Sequence, residues 1–345
     1  MRLIYTILIS SLIVSSCTLQ EVSLQDSRSQ TFDIKAPLVV TYLTGDASDV
    51  NTTASPGILL MGGGTDVDEA IQWFLQRSGG GDIVVIRATG ADGYNAYMYG
   101  LANVNSVETI IIDSRTKADL TLVTDKIRNA EALFIAGGDQ SDYVNYWKNT
   151  GTEDAINFLI NTKHVPVGGT SAGLAILGSD YYSALKNSAT SAKALNNPYY
   201  ADMTLGHEDF VSIPLLHHLI TDSHYTQRDR TGRHIAFMAR IMKDNGNTTI
   251  RGIGIDEQTA VCIDQNGIGK VYGINDAYFL INQNLGPEVC LASNPLTWNR
   301  TMQAIRAYKI HAASSGSGNA DFNTWSFTGG TVFNYYVNAG TLFVN

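Results

Sequence analysis

The chain has 345 residues, 44% of them hydrophobic, and a formal net charge of −9, so it is long enough to bury one large core or two small ones. That balance excludes a disordered or fibrous chain. It also argues against nucleic acid as a partner, since phosphate binding needs clustered positive charge.

At the start, Met1-Arg2-Leu3-Ile4-Tyr5 through Val14 places one positive charge before an apolar run too short to span a bilayer, which reads as an export signal. The run ends in Val14-Ser15-Ser16-Cys17, which is similar to a bacterial lipoprotein processing site, with Cys17 as the lipidated residue. Residues 1–17 are therefore expected to be the signal, and the polar segment 18–36 a tether. Of the remaining cysteines, Cys262 and Cys290, the spacing cannot establish a disulfide, and two buried thiols are the favoured expectation.

The folded part begins near Ala36. Ile58-Leu59-Leu60-Met61 is a short apolar run ending in Gly62-Gly63-Gly64, which suits a buried strand and a glycine loop. Val67, Ala70, Ile71, Phe74 and Leu75 then follow helical spacing, with Thr65 or Asp66 available as the N-cap. Buried strands are expected at Ile83–Ile86, Thr109–Ile112, Ala132–Ala136 and Val165–Val167, with helices around Leu120–Ile127 and Ala155–Ile160 between them. This alternation predicts an α/β fold with a mostly parallel sheet and helices on both faces. Ligands in such sheets gather at the carboxyl ends of strands, where the glycine loops at 62–64, 137–138 and 168–169 should converge. The chain has neither a dinucleotide nor a P-loop glycine pattern.

After Ile213-Pro214 the character changes. A polar stretch, residues 222–234, carries Asp222, His224, Arg228, Arg230, Arg233 and His234, followed by helical spacing up to Asn245-Gly246. The arginines fit either a solvated face or a site for substrate carboxylates. Ile253–Ile255, Ala260–Ile263, Gly267–Ile274, Ala277–Ile281 and the tail 319–345 are strand-like, the tail as an addition to the main layer. No internal repeat, zinc-ligand spacing or calcium loop is present, and no metal is expected.

Gly169-Thr170-Ser171-Ala172-Gly173 fits the strand-to-helix elbow that holds a nucleophilic serine on a strained corner. A serine there needs a base and an acid behind the base. One order, Ser171, Asp276, His311, is that of an α/β-hydrolase; the other, Ser171, His224, Glu257, is favoured because His224 has polar company. His207, His217, His218 and His234 read as structural histidines.

Four ordered motifs carry a family resemblance: Gly137-Gly138-Asp139-Gln140, residues 168–173, the Asp222-x-His224-Tyr225-x-x-Arg228-x-Arg230-x-x-Arg233 run, and Gly252-Ile253-Gly254-Ile255-Asp256-Glu257. Over roughly residues 55–275 the chain resembles cyanophycinases and cyanophycinase-like serine peptidases. The resemblance implies a class I glutamine amidotransferase-like fold over 37–289, with 290–345 as a β-rich extension packed on it. It implies Ser171 as nucleophile, His224 as base, Glu257 as orienting acid, and an oxyanion hole from the N–H groups of Gly138 and Ala172. Gln140, Asp222, Arg228, Arg230 and Arg233 would line the substrate pocket. It further implies an acidic or cyanophycin-like peptide as substrate, without a cofactor, and a lipid anchor would make the membrane a second partner. A homodimer is compatible with the sequence but not indicated by it. Ser223, where cyanophycinases often carry Gln, puts the substrate identity in question more than the reaction. The rival expectations are a peptidase for other acidic peptides and a non-catalytic peptide-binding surface lipoprotein.

Overall fold

The computed structural model describes residues 38–283 and 285–345. The expected signal, Cys17 and the tether 18–36 lie outside the described residues.

The parallel centre of the first sheet runs in the order β4 (Ser106–Ile111), β3 (Asp82–Arg87), β5 (Ala132–Ile135), β6 (Val167–Thr170) and β2 (Gly57–Met61). β1 (Val40–Gly45) pairs antiparallel with β4, and β11 (Thr259–Asp264), β12 (Ile268–Gly273), β15 (Ser317–Asp321) and β16 (Ser326–Thr328) extend the far edge, also antiparallel. The α/β expectation therefore holds. What the sequence did not separate is a second sheet, β18 (Thr341–Val344), β17 (Thr331–Asn338), β14 (Ile305–His311), β13 (Asp276–Asn282), β10 (Arg251–Ile255), β9 (Leu219–Asp222), β7 (Asp180–Tyr182) and β8 (Leu205–His207) in that order. The tail, expected on the main layer, divides between the two sheets: β15 and β16 join the first, β17 and β18 the second.

The pleat explains the layering, because alternate side chains point to opposite faces. Leu59, Met61, Val85 and Phe134 face the helix Asp68–Gln76, whose Ala70, Ile71, Phe74 and Leu75 are fully buried. Each such Ile, Leu or Phe contributes roughly 1.5–3 kcal/mol on burial. Packing rather than capping holds this helix, since its N-cap is Val67, with no side-chain cap bond, and not Thr65 or Asp66. Ile58, Leu60, Val84, Ile86 and Leu133 point the other way, into a core shared with Ile253, Ile255, Phe279 and Ile310 of the second sheet. The outer face of that second sheet, with Ile220, Leu280 and Ile305, is covered by the helix Thr231–Asn245.

The consequence for function lies at the seam. β6 ends in the Ser171 corner, β9 ends two residues before His224, and the turn holding Glu257 joins β10 of one sheet to β11 of the other.

Candidate active site

Ser171 stands at φ 53°, ψ −112° between β6 and the short helix Ala172–Ala175, a conformation that L residues hold only when their surroundings impose it. The surroundings here are tight. The Ser171 N–H donates to the Met61 carbonyl at 3.0 Å. A Cβ at Gly169 would lie 2.6 Å from the Gly173 carbonyl carbon, and one at Gly173 would collide with the Ile135 carbonyl of β5. The glycines two before and two after the serine are thus required by strand and helix backbones in contact.

The half-buried corner brings Ser171 Oγ to 2.7 Å from His224 Nε2, and His224 Nδ1 lies 2.6 Å from Glu257 Oε1. Those partners assign the tautomer: Nδ1–H donates to the carboxylate and Nε2 accepts from the hydroxyl. The His224 side chain is 7% exposed and that of Glu257 28%. Burial pushes the His224 pKa below its ordinary value, the Arg228 and Arg230 charges push the same way, and Glu257 opposes them. A neutral imidazole facing a hydroxyl, with a carboxylate ready to stabilise the imidazolium, is an arrangement that can generate an alkoxide-like nucleophile.

The glycine loop after β2 seats this pair. A Cβ at Gly63, where φ is 93°, would fall 2.5 Å from His224 Cε1 and 2.6 Å from Nε2; one at Gly64 would come within 3.1 Å of Glu257 Cβ. The loop's backbone also binds His224 and the residue after Glu257, as the His224 N–H donates to the Gly62 carbonyl at 2.8 Å and the Gln258 N–H to that of Gly63 at 2.9 Å. Sequence reading missed two further supports of the acid. Gln227 Oε1 accepts from the Glu257 N–H at 2.9 Å, and Asn275 Nδ2 donates to the Glu257 carbonyl at 2.8 Å. Gln227 had a signal, its place within the polar stretch; Asn275 had none. Asp256, beside Glu257, is buried and accepts from the Thr226 N–H and hydroxyl at 2.8 and 2.7 Å.

Among the described residues, the N–H groups of Gly138 and Ala172 donate to no protein acceptor. A Cβ at Gly137 would touch Ser171 Cβ at 3.5 Å, which puts the 137–138 loop beside the serine.

The five pocket candidates separate into two kinds. Asp222 and Arg233 form a buried pair, Nε–Oδ2 2.8 Å and Nη2–Oδ1 2.6 Å, each side chain 3% exposed. Arg233 also donates to the Ala189 carbonyl at 3.2 Å. Both side chains are buried and bonded chiefly to each other, so the pair braces the wall beside Arg230. The Asp222 carboxyl is held below its usual range by Arg233 and Arg230 against the opposing effect of burial. Arg230 bonds the Ser223 carbonyl at 2.9 Å, and burial pulls its pKa down to about 10, which leaves it cationic at neutral pH. Arg228 is the open one, 54% exposed and 3.8 Å from Glu257. Gln140 begins the helix Gln140–Trp147 and reaches the Tyr182 carbonyl at 3.5 Å.

The rival histidine has its own acid, but among the described residues its ring meets no serine hydroxyl: His311 Nδ1 is 2.8 Å from Asp276 Oδ1 across the β13–β14 ladder, its side chain 71% exposed. His234 is fully buried between the Tyr225 hydroxyl at 3.3 Å and the Ile220 carbonyl at 3.2 Å, and burial lowers its pKa to about 4. Gly252 and Gly254 make room for that layer, since a Cβ would meet His234 at 2.8 Å or the Tyr225 ring at 2.6 Å. Cys262 and Cys290 are free and buried.

Comparison with known proteins adds the following. The family model for peptidase family S51 matches residues 58–271. A cyanophycinase from Nostoc sp. is 24% identical over 226 residues, covering 63% of this chain and 70% of its own length. One from Geminocystis herdmanii is 24% identical over 228 residues, covering 63% of this chain and 77% of its own. Among solved structures, a peptidase from an acI-B1 Actinobacterium aligns with 70% of this chain and 98% of its own at a TM-score of 0.45 and 14% identity.

Proposed function

The chain belongs to peptidase family S51, and we propose that it is an exported serine peptidase that hydrolyses cyanophycin or related β-linked aspartyl peptides through Ser171, His224 and Glu257. The single observation that carries this reading is the unbroken line of short hydrogen bonds, 2.7 Å and 2.6 Å, from hydroxyl to imidazole to carboxylate.

In the proposed mechanism, Ser171 Oγ attacks the scissile amide carbon while His224 Nε2 takes its proton, and Glu257 holds the imidazolium through Nδ1–H. The carbonyl oxygen, now negative, is received by the N–H groups of Gly138 and Ala172. The imidazolium gives its proton to the leaving amine, and the acyl-enzyme is then opened by water, which His224 deprotonates in turn. The arginine linked to each aspartyl side chain carries a free α-carboxylate, for which Arg228 and Arg230 are the available guanidinium partners. Gln140 is proposed to orient the peptide, with Asp222 and Arg233 fixing Arg230 from behind.

The substrate claim rests on the two cyanophycinase relatives together with these cationic groups. It is tested by incubating the mature protein with cyanophycin and, separately, with α-linked aspartyl dipeptides, and weighing the products. Release of β-Asp-Arg by the wild type, abolished in Ser171→Ala and His224→Ala but kept in His311→Ala, is the expected result. Cleavage of α-linked peptides alone would replace the substrate, and full turnover by Ser171→Ala would remove the mechanism. Export and lipidation are proposed on the 1–17 segment; fatty-acid labelling that persists in Cys17→Ser would overturn the anchor.

A further inference from the structure

Away from the triad, two turns of the second sheet bring together ligand types that the chain separates. Glu208 follows β8, and His217 and His218 precede β9. His217 Nε2 lies 3.0 Å from Glu208 Oε1 and His218 Nδ1 lies 3.2 Å from the same oxygen, while one ligand atom from each residue falls within 4.8 Å of the others. The two imidazoles meet nearly edge to face, ring centres 4.0 Å apart at 65°, so that they present different ring nitrogens to one point. A tetrahedral zinc ion with bonds of about 2.0–2.1 Å separates its ligand atoms by about 3.4 Å, close to the spacings seen here.

Two more features belong to this spot. Glu208 and His218 are both held at left-handed backbone angles, φ 48° and 51°, on residues that are not glycine, a cost that persists where side chains must converge. Behind them, Asp180 is fully buried; one of its oxygens takes His207 Nδ1 at 2.6 Å and the other, Oδ2, has no hydrogen-bond partner among the described residues. Asp180 stands on β7, between β8 and β9, so a cation held where the turns of those two strands meet would also offset this under-satisfied carboxylate.

We propose that Glu208, His217 and His218 form a surface site for a borderline transition-metal dication, Zn2+ first, with water completing the shell. Two imidazoles and one carboxylate suit Zn2+, and also Ni2+ and Cu2+, over the oxygen-seeking Mg2+ or Ca2+. The site is structural: His218 precedes His224 by six residues, roughly 20 Å along an extended chain. The ion would tie the turn after β8 to the start of β9, the strand that delivers His224. A search for contiguous zinc-ligand spacing misses it because the ligands converge only through the β7–β8–β9 pairing.

The test uses the untagged mature chain, stripped with EDTA and titrated with Zn2+ against a chromophoric chelator. The expected result is one Zn2+ per chain, weakened at least tenfold in Glu208→Gln and abolished in the double variant His217→Ala/His218→Ala. X-ray absorption of the wild type should show two imidazoles at about 2.0–2.1 Å. Absence of 1:1 binding, binding that the double variant keeps, or a shell without two imidazoles overturns the proposal. None of these readouts depends on peptidase activity, and the wild-type spectrum decides the matter even if a variant fails to fold.

Discussion

Gly63→Ala should separate catalysis from folding. The added methyl group would sit 2.5 Å from His224 Cε1, whereas carbon atoms rest at about 3.5–4.0 Å, so the ring must retreat by about 1 Å or the loop must give way. A retreat of that size lengthens the 2.7 Å Ser171–His224 contact beyond hydrogen-bonding range. Misplacement of about 1 Å costs on the order of 100-fold in rate, equivalent to about 2.7 kcal/mol in the barrier. The backbone adds a separate cost, about 1–2 kcal/mol for an alanine at positive φ, which lowers Tm by several degrees. Gly246→Ala isolates that second cost, because Gly246 has φ 71° with nothing within 4 Å of its would-be Cβ. The assay pairs kcat for dipeptide release with a thermal melt of each variant. Gly63→Ala should lose both rate and Tm, Gly246→Ala only Tm. A Gly63→Ala enzyme whose kcat stays within about threefold of wild type would show that the loop does not seat the imidazole.

Three further outcomes follow from the same geometry. Ser171→Gly should abolish turnover yet raise stability by about 1 kcal/mol, because glycine relieves the φ 53° corner; a fall in Tm measured by calorimetry would count against stored strain. Arg228→Gln removes a positive charge that depresses the His224 pKa. The imidazolium becomes easier to form, so the acidic limb of kcat/KM, which lies below about 6.5 in the wild type, should move to higher pH; an unmoved limb would exclude Arg228 from the base's field. Asp222→Ala leaves Arg233 buried without its partner and should cost about 3–5 kcal/mol in urea unfolding, while Asp222→Leu with Arg233→Met should come near neutral. If Asp222→Ala unfolds like wild type and only raises KM, the pair faces substrate after all.

The sequence was legible where function and local geometry share a few residues. The elbow at 168–173 announced itself because close contact of strand and helix demands small residues on both sides of Ser171, and the apolar runs of β2, β3 and β5 read as buried strands because they are short and bounded by glycine or polar residues. β9 was not legible: Leu219-Ile220-Thr221-Asp222 has two apolar residues and no room for a period to establish itself. β14 was hidden because Tyr308 and Lys309 stand side by side and break the alternation begun by Ile305, Arg306 and Ala307. The pocket arginines show a different limit. Arg228, Arg230 and Arg233 are alike in sequence, yet their exposure runs from 54% to 14% to 3%, because the helix that begins at Thr231 carries the last of them into the core beside Asp222.

The rival histidine makes the same point from the other side. His311 and Asp276 do pair, so pairing a histidine with an acid, even in a plausible order, is not what identifies a base. What distinguishes His224 is position relative to the seam. Ser171 is fixed to the first sheet through β6 and the Met61 carbonyl of β2, His224 hangs from β9 of the second, and Glu257 sits on the one turn that passes from β10 to β11. The distance between hydroxyl and imidazole is therefore set by how the two sheets pack, through Ile253, Ile255 and their neighbours in the shared core. Interiors are close-packed and transmit strain. Loss of a methyl group at Ile253 should then reach the 2.7 Å contact as well as the stability, whereas the same loss on the far face, at Ile71, should touch stability alone.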